Sequence, residues 1–416
     1  MSAGGTGSQV EVVVTGLGAT TPLGGDVAST WEGMLSGRSG VRRIDEDYDW
    51  INRRELPVKI GAPLVAEPAE VLSRVQARRL DRVEQLAVVA AKEAWADAGT
   101  PEVEPERLAV VVGTGIGGVT TLLAQDDLLE TDGLRKVSPL TVPMLMPNGP
   151  AAWVSLEFGA RGGVHAPVSA CATGAEALAW ALMLLRLGEV DVIIAGGAEA
   201  CITQLTVAGF VQSRTLSQRN DEPERASRPF DTGRDGFVLG EGAGIMVLER
   251  AEFAAARGAR VHGKLAGAGL TADAYHITGP EPEGVGQSRA IAKAVRDAGL
   301  EPSDVGHVNC HATSTVAGDV GETRAVRKAL GDHPVLTAPK GAFGHLVGAA
   351  GAVESIITVL SIKEGVIPPT LNLEELDPGV ELDVVAGEPR KVDLQAAVCD
   401  SFGFGGHNAA IAFTKA

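Results

Sequence analysis

Four short segments carry residue types that could meet at one reaction centre. The first, 168–175, holds Cys171 among small residues, directly before an apolar stretch that predicts a buried helix. A thiol at the start of a helix lies near the positive end of the helix dipole, which favours the nucleophilic thiolate. His311 and His345 lie far downstream, and a glycine-rich loop at 401–406 is the fourth segment. A cysteine, two histidines and a flexible backbone loop together indicate acyl-thioester chemistry.

Such a nucleophile also needs backbone donors and charged neighbours. The glycines of 403–406 can turn an N–H group inward, because glycine adopts φ values that other residues avoid. Lys340 precedes His345 and Glu354 follows it, so these two residues form either a partly buried pair near the thiol or an ordinary surface pair. His311, taken alone, could equally be a structural loop residue.

The elements that must position these residues alternate between strand-like and helix-like stretches, which predicts an α/β fold. A helix is predicted over 85–98, ending at Gly99, and a strand over 305–309 leads into His311. Further strands are predicted over 10–15, 108–112, 190–195 and 245–248.

Two internal echoes indicate duplicated halves. The segment 91–99 is similar in sequence to 291–299, and the Cys171 segment is similar in pattern to the His345 segment. Each pair runs in the same order, which predicts halves 1–259 and 260–416. Pseudo-symmetry would then make Cys171 face His345. Chance recurrence of helix–glycine–strand patterns is the alternative.

Composition narrows the class of protein. The 416 residues are 45% hydrophobic and 4% aromatic with 53 glycines, so Ala, Val, Leu and Ile must build the core. A net charge of −17 argues against nucleic acid or an anionic membrane as the main partner. No apolar run reaches about 18 residues without a charge, so we expect no membrane span.

The cysteines and the start of the chain suggest a reducing compartment. Residues 1–7 lack the basic and apolar regions of a secretory signal, and we expect a short disordered tail there. Cysteine spacing predicts no metal site, and a cytoplasmic location would keep a reactive thiol free. The four cysteines are Cys171, Cys201, Cys310 and Cys399.

The glycine loop at 113–118 follows a predicted strand, but it lacks the spacing and downstream acid of a dinucleotide site. A phosphate-binding P-loop motif is also missing from the sequence. We therefore expect no cofactor.

Together these segments resemble the β-ketoacyl-acyl carrier protein synthases, in particular the elongating condensing enzymes of the thiolase superfamily. The resemblance spans nearly the whole chain and includes four further motifs, at 216–221, 227–231, 234–242 and 273–276. It implies a five-layered αβαβα fold of two duplicated halves, and a homodimer.

The resemblance also implies a ping-pong reaction with acyl carrier protein in its acyl and malonyl forms. Cys171 would take the acyl chain, while His311 and His345 would bind the malonyl carbonyl and stabilise the enolate formed on loss of CO₂. Lys340 and Glu354 would be supporting groups.

Further roles follow from the family pattern. The N–H groups of Cys171 and Phe404 would form the oxyanion hole, and Phe404 would gate the site together with Phe402 and the loop 271–273. Ile116 and Phe210 match positions that line the acyl pocket, and Ile116 would lie near the dimer interface.

The acyl carrier protein is strongly acidic, so a protein of net charge −17 must bind it through a local basic patch. Arg135, Lys136 and Arg214 occupy matching positions. Arg74, Arg78 and Arg79 could extend the patch.

Departures from the family pattern leave chain length and pathway open. Ala312, Val316 and His407 replace commoner residues, so the product could be a fatty acid, a polyketide or a mycolic-type acid. A thiolase would need a second catalytic cysteine, an initiating synthase would carry Asn at 345, and a partner subunit would lack Cys171.

Overall fold

The computed structural model describes residues 10–416, so the expectation for residues 1–7 lies outside the described residues. The strands are β1 Val12–Thr20, β2 Arg42–Arg43, β3 Ile60–Gly61, β4 Leu108–Gly113, β5 Val164–His165, β6 Val192–Glu199, β7 Gly242–Arg250, β8 Gly263–Ala272, β9 Val305–Asn309, β10 Val335–Thr337, β11 Val366–Ile367, β12 Arg390–Lys391, β13 Ala396–Gly403 and β14 His407–Thr414. The helices are α1 Val27–Leu35, α2 Trp50–Arg53, α3 Arg74–Ala77, α4 Arg82–Asp97, α5 Val119–Asp132, α6 Thr141–Leu145, α7 Gly149–Phe158, α8 Thr173–Leu187, α9 Gln204–Gln212, α10 Ala251–Ala256, α11 Val285–Asp297, α12 Val316–Leu330, α13 Lys340–Phe343 and α14 Ala350–Glu364.

The main sheet repeats one strand order on either side of its centre. β1 and β8 meet there as an antiparallel pair. Outward from β1 come β7, β6, β4 and β5, and outward from β8 come β14, β13, β9 and β10. In both sets the inner two pairings are antiparallel and the outer two are parallel. The repeat supports the division into halves 1–259 and 260–416, which stays a prediction.

Two helices, α8 and α14, form the layer between the two sets of strands, since each packs against strands of both. Small residues let them approach closely: a Cβ on Gly174 would lie 2.6 Å from the backbone nitrogen of Ala352. α4 and α7 cover the outer face of the first set, whereas α11 covers that of the second, with α12 packed against α11. The layers therefore follow the predicted order αβαβα.

The predicted elements are present, with shifted ends. The strand predicted over 10–15 runs to Thr20, because Gly16 and Gly18 continue it against α4; a Cβ on Gly18 would lie 2.0 Å from the Ala90 carbonyl oxygen. The helix predicted over 85–98 begins at Arg82, capped by Asp81. The sequence did not predict the extension of β1 beyond residue 15, because Gly16 and Gly18 are typical of turns.

The stretch Ala170–Leu187 is long and apolar enough to cross a membrane by composition alone. It is the central-layer helix α8 with its preceding turn, and 56% of the stretch is buried inside the protein. Its apolar character is explained by packing between the two sets of strands of the main sheet.

Candidate active site

Cys171 lies in a tight turn, Ala170–Ala172, that leads directly into α8. Its Sγ is 3.0 Å from Nε2 of His345, so the structure brings together the two residues that the internal echo places face to face. The backbone N–H groups of Phe404 and of Cys171 itself also donate to the sulfur. Negative charge that develops at this point would therefore meet two backbone donors and an imidazole.

Burial raises the pKa of the Cys171 thiol to about 11, although the positive charge of Lys340 and the N–H group of Phe404 act to lower it. The expectation that the helix dipole makes Cys171 a thiolate is therefore wrong for the resting side chain. Desolvation penalises the charged form more than one helix N-terminus favours it. The thiol must lose its proton during the reaction.

His345 is held as a neutral ring of defined tautomer. Burial and then the charge of Lys340 hold the pKa of His345 well below its usual value. Its Nδ1 accepts the backbone N–H of Val347 at 3.2 Å, so we assign the ring proton to Nε2. Nε2 then donates toward Cys171 and cannot remove the thiol proton as a base.

His311 follows β9 and packs perpendicular to His345, with ring centroids 5.3 Å apart. Two buried carboxylates fix its backbone, since its N–H donates to Glu322 at 2.6 Å and to Asp400 at 2.9 Å. Burial, with smaller contributions from Lys340 and His345, holds the pKa of His311 well below its usual value. Both rings are thus neutral hydrogen-bonding groups beside the thiol.

Lys340 and Glu354 are both fully buried and form an ion pair. This resolves the alternative of a surface pair in favour of a buried one. Burial raises the pKa of Glu354 to about 7 against the opposing charge of Lys340. The Lys340 charge also acts to lower the pKa of His311, His345 and Cys171, second to burial in each case.

The end of β13 and the turn that follows it bring Phe402 and Phe404 to the cavity that Cys171 lines, so residues 401–403 of the predicted loop are strand. Phe402 contacts the His311 ring edge to face at a centroid distance of 6.0 Å. Phe404 follows Gly403, which packs so closely that a Cβ there would lie 2.5 Å from the Ser169 carbonyl oxygen. The chain can turn back at Gly405 because its φ is +85°.

The loop after β8 is tied to the glycine loop. Asp273 donates its N–H to the Gly406 carbonyl at 3.0 Å, and Gly405 donates its N–H to the Ile277 carbonyl at 2.7 Å. Movement of one loop must therefore break or carry contacts of the other.

A cavity of about 360 Å³ opens at Cys171 and is also lined by Ile116 and Phe210. Sequence reasoning gave no role to Phe237, although it lies in the motif at 234–242. The Phe237 ring stands edge to face with Phe210 at 5.2 Å and with His345 at 5.4 Å, between their centroids. It thus joins the proposed acyl pocket to the histidine pair.

The proposed docking residues lie outside this cavity on the exposed surface. Arg135 and Lys136 are in the turn after α5, and Arg214 is in the turn after α9. Arg214 directly precedes Thr215, which lines the cavity. Arg214 is therefore placed next to the cavity wall.

Cys171, His311 and His345 offer a sulfur and two nitrogen atoms within 4.8 Å of one another. Cysteine and histidine are also zinc ligands, so this donor set could hold a soft divalent metal. Metal ligation would occupy the sulfur that the chemistry needs as a nucleophile.

Family models match both parts of the chain. The β-ketoacyl synthase N-terminal domain matches residues 9–254, and the C-terminal domain matches residues 262–374. The 3-oxoacyl-[acyl-carrier-protein] synthase 2 of Mycobacterium tuberculosis is 48% identical over 406 residues, which cover 97% of each chain.

Solved structures show the same architecture. A β-ketoacyl synthase from Burkholderia phymatum superposes with a TM-score of 0.91 at 36% identity, covering 98% of this chain and 100% of that one. A ketosynthase bound to the hexaketide and in complex with its type II polyketide synthase acyl carrier protein gives 0.90 at 29% identity, with coverages of 98% and 100%. These neighbours carry the thiolase-like fold, and so does this chain. The chain belongs to the β-ketoacyl synthase family and is an acyltransferase of the condensing type that elongates acyl chains in fatty acid synthesis.

Proposed function

We propose that Cys171 is the nucleophile of a ping-pong condensation. Its sulfur attacks the carbonyl carbon of an acyl-carrier thioester, and the N–H groups of Cys171 and Phe404 hold the oxyanion. The bond from the carbonyl carbon to the carrier sulfur then breaks. The carrier thiol leaves with the proton that Cys171 gives up, and the acyl chain stays on Cys171.

In the second half-reaction the two histidines act on malonyl-acyl carrier protein. The thioester carbonyl oxygen accepts hydrogen bonds from His311 and His345 while the bond to the carboxylate breaks and CO₂ leaves. The resulting enolate carbon attacks the acyl carbonyl on Cys171, and the C–S bond to Cys171 breaks. The product is 3-oxoacyl-acyl carrier protein, and the released thiolate takes a proton from water.

Neutral rings suit this step. A neutral imidazole can donate its N–H to the developing enolate, and burial, assisted by the Lys340 charge, keeps both rings neutral. Lys340 and Glu354 are thus proposed as supporting groups that act through electrostatics. In a site closed to water each aligned donor contributes on the order of 3 kcal/mol to the transition state.

The acyl chain is proposed to lie over Ile116 and Phe210, with Phe404 as a gate that moves with Phe402. The contacts that join the glycine loop to Asp273 and Ile277 support coupled motion of the two loops. Cavity shape alone does not set the pathway, so a ketosynthase of polyketide or mycolic-type acid assembly is the second candidate, favoured by the ketosynthase likeness at 29% identity. A profile of product chain lengths separates the two.

Acyl carrier protein is the proposed partner. Arg214, beside the cavity wall, supports docking near the mouth, and Arg135 with Lys136 would enlarge the basic patch. The structural neighbour that contains a carrier protein in complex with its ketosynthase supports the same pairing.

We also propose a homodimer in the cytoplasm. Among residues 10–416, β5 is an edge strand of the main sheet next to β4, and its two residues are exposed. A second copy would also cover exposed apolar side chains of α5, α6 and the turns that follow them, which are Leu122, Leu129, Leu134, Val142 and Met146. All four cysteines are free, and a reducing compartment would keep Cys171 so.

The 3.0 Å approach of Cys171 Sγ to His345 Nε2 is the observation that carries the proposal. The test is incubation with acyl- and malonyl-acyl carrier protein, followed by mass spectrometry. The native protein should form an acyl adduct and then 3-oxoacyl-acyl carrier protein. Cys171→Ala should form neither, whereas Cys201→Ala, which changes a buried cysteine, should form both. Normal elongation by Cys171→Ala would overturn the assignment.

A further inference from the structure

Glu199 is a buried carboxylate that the proposed reaction does not use. It is the last residue of β6, is fully buried, and accepts a hydrogen bond from Gly115, which lines the cavity that holds Cys171. Its hydrogen-bond partners are a hydroxyl group and backbone N–H groups. A buried carboxylate is costly unless donors satisfy it, so the identity of those donors shows what it does.

The donors come from two separate parts of the site. Oε1 accepts the hydroxyl of Thr114 at 2.9 Å. Oε2 accepts the N–H of Gly115 at 2.8 Å and the N–H of Gly348 at 3.1 Å. The N–H of Ile116 also donates to the carboxylate. Residues 114–116 belong to the loop that lines the proposed acyl pocket, whereas Gly348 follows His345 in the other half of the chain.

The backbone segments around this carboxylate are closely packed. A Cβ on Gly348 would lie 2.4 Å from the Gly115 backbone nitrogen, and one on Gly115 would lie 2.7 Å from Glu199 Oε2. A Cβ on Gly197 would lie 2.4 Å from the Gly348 carbonyl oxygen. The three segments therefore meet backbone to backbone, and the carboxylate is the group that pairs their N–H donors.

The same turn controls the catalytic imidazole. Val347 donates its N–H to Nδ1 of His345 at 3.2 Å and so fixes the proton on Nε2. Gly348, the next residue, is the one bound to Glu199. A shift of this turn would weaken the Val347 hydrogen bond and rotate Nε2 away from Cys171.

We propose that Glu199 is a positioning residue: its carboxylate fastens the His345 turn to the acyl-pocket loop and so holds Nε2 of His345 toward the reaction centre. The inference rests on the proposed function, because it takes His345 as the donor in malonyl decarboxylation. Glu199 does not touch the reacting atoms. It acts through Gly348 and Val347.

Glu199→Gln tests this directly. The amide keeps the shape of the side chain, but only its oxygen can accept. If its NH₂ group faces Thr114, the hydroxyl must turn from donor to acceptor, and if it faces the glycines, the N–H groups of Gly115 and Gly348 lose their acceptor. CO₂ release from malonyl-acyl carrier protein should fall about tenfold to a hundredfold, because sub-ångström displacement of a catalytic group has effects of that size. Single-turnover acylation of Cys171 by a short acyl thioester should stay within about threefold of the native rate.

The matched control is Glu249→Gln. Glu249 is also fully buried and lies on the neighbouring strand β7, where it pairs with Arg257 and Thr15 at the opposite end of the β6–β7 pairing. Glu249→Gln should change thermal stability but slow the two half-reactions equally or not at all. If Glu199→Gln only lost stability, it would also slow both half-reactions equally. A slower CO₂ release with a nearly native acylation rate is therefore the result that supports positioning.

A spectroscopic readout separates positioning from folding. In ¹⁵N-histidine NMR the native His345 should show an unprotonated Nδ1 and a protonated Nε2, and Glu199→Gln should shift this tautomer signal. If Glu199→Gln does not fold, Thr114→Val removes one donor and should reduce CO₂ release a few-fold with the same split. Equal loss of both half-reactions, or an unchanged His345 signal with a native rate of CO₂ release, would overturn the inference. If the native protein releases no CO₂, the proposed function itself fails.

Discussion

The hydrogen bond between Val347 and His345 fixes which ring nitrogen of His345 carries the proton. The Val347 N–H donates to Nδ1 of His345, and the opposite nitrogen, Nε2, lies 3.0 Å from the sulfur of Cys171. A neutral imidazole with an acceptor Nδ1 must donate from Nε2. His345 is therefore a hydrogen-bond donor toward the reaction centre and is no base for the thiol.

The donor role predicts an order among His345 variants. An asparagine amide can also donate a hydrogen bond, whereas alanine offers no donor. CO₂ release from malonyl-acyl carrier protein should fall about a hundredfold to a thousandfold in His345→Ala, and clearly less in His345→Asn. Rates of CO₂ release measured for both variants check this. Equal loss in the two variants would instead point to proton abstraction by the ring.

Burial and the Lys340 charge together predict how the reactivity of the Cys171 thiol changes with pH. With a thiol pKa of about 11, alkylation of Cys171 by iodoacetamide should rise about tenfold per pH unit from pH 7 to 10. Lys340→Met removes a charge that lowers this pKa, so alkylation at any fixed pH should be slower. Glu354 can accept a proton once its partner is gone, because burial already raises its pKa to about 7. The rates are followed by mass spectrometry, and a faster reaction in Lys340→Met would contradict this electrostatic role.

The face-to-face placement of Cys171 and His345 could be predicted from the internal echo, because equivalent helices in duplicated halves meet at their shared interface. The buried Lys340–Glu354 pair was open between two alternatives, since sequence spacing carries no information on burial. The pKa of Cys171 was predicted in the wrong direction for the same reason. Desolvation depends on the two sets of strands that enclose α8, and no local sequence pattern encodes it.

The role proposed for Glu199 also could not be predicted from the sequence. Its donors come from residues 114–116 and from Gly348, which are separated by more than two hundred residues along the chain. A carboxylate after a run of apolar and glycine residues indicates only a strand end near a loop. Its connection to His345 appears once β6, the acyl-pocket loop and the His345 turn are placed side by side.

Close packing at Gly403 predicts a strong effect of one methyl group. A Cβ there would lie 2.5 Å from the Ser169 carbonyl oxygen and 3.2 Å from the Cys171 nitrogen, so Gly403→Ala must push the Phe404 N–H away from the oxyanion site. Acylation of Cys171 should fall about a hundredfold. Gly321→Ala is the control, because a Cβ at Gly321 meets no atom within 4 Å and helical alanine is favoured over glycine. Stopped-flow acylation of both variants gives the answer, and a native rate in Gly403→Ala would argue against Phe404 as an oxyanion donor.

Charge reversal at Arg214 tests where the acidic carrier docks. Arg214 is exposed and precedes Thr215 of the cavity wall, so a carrier bound here would place its thioester arm at the mouth. Arg214→Glu should raise KM for acyl-acyl carrier protein by about tenfold or more while leaving a small thioester mimic unaffected. The difference should shrink at high salt, since exposed charges are screened over about 10 Å at 0.1 M. Lys415→Glu changes the net charge equally but lies beyond the end of β14 that is far from the glycine loop, so its KM should stay native. If Arg214→Glu slows both substrates alike, the loss comes from the site itself and Arg214 does not guide the carrier.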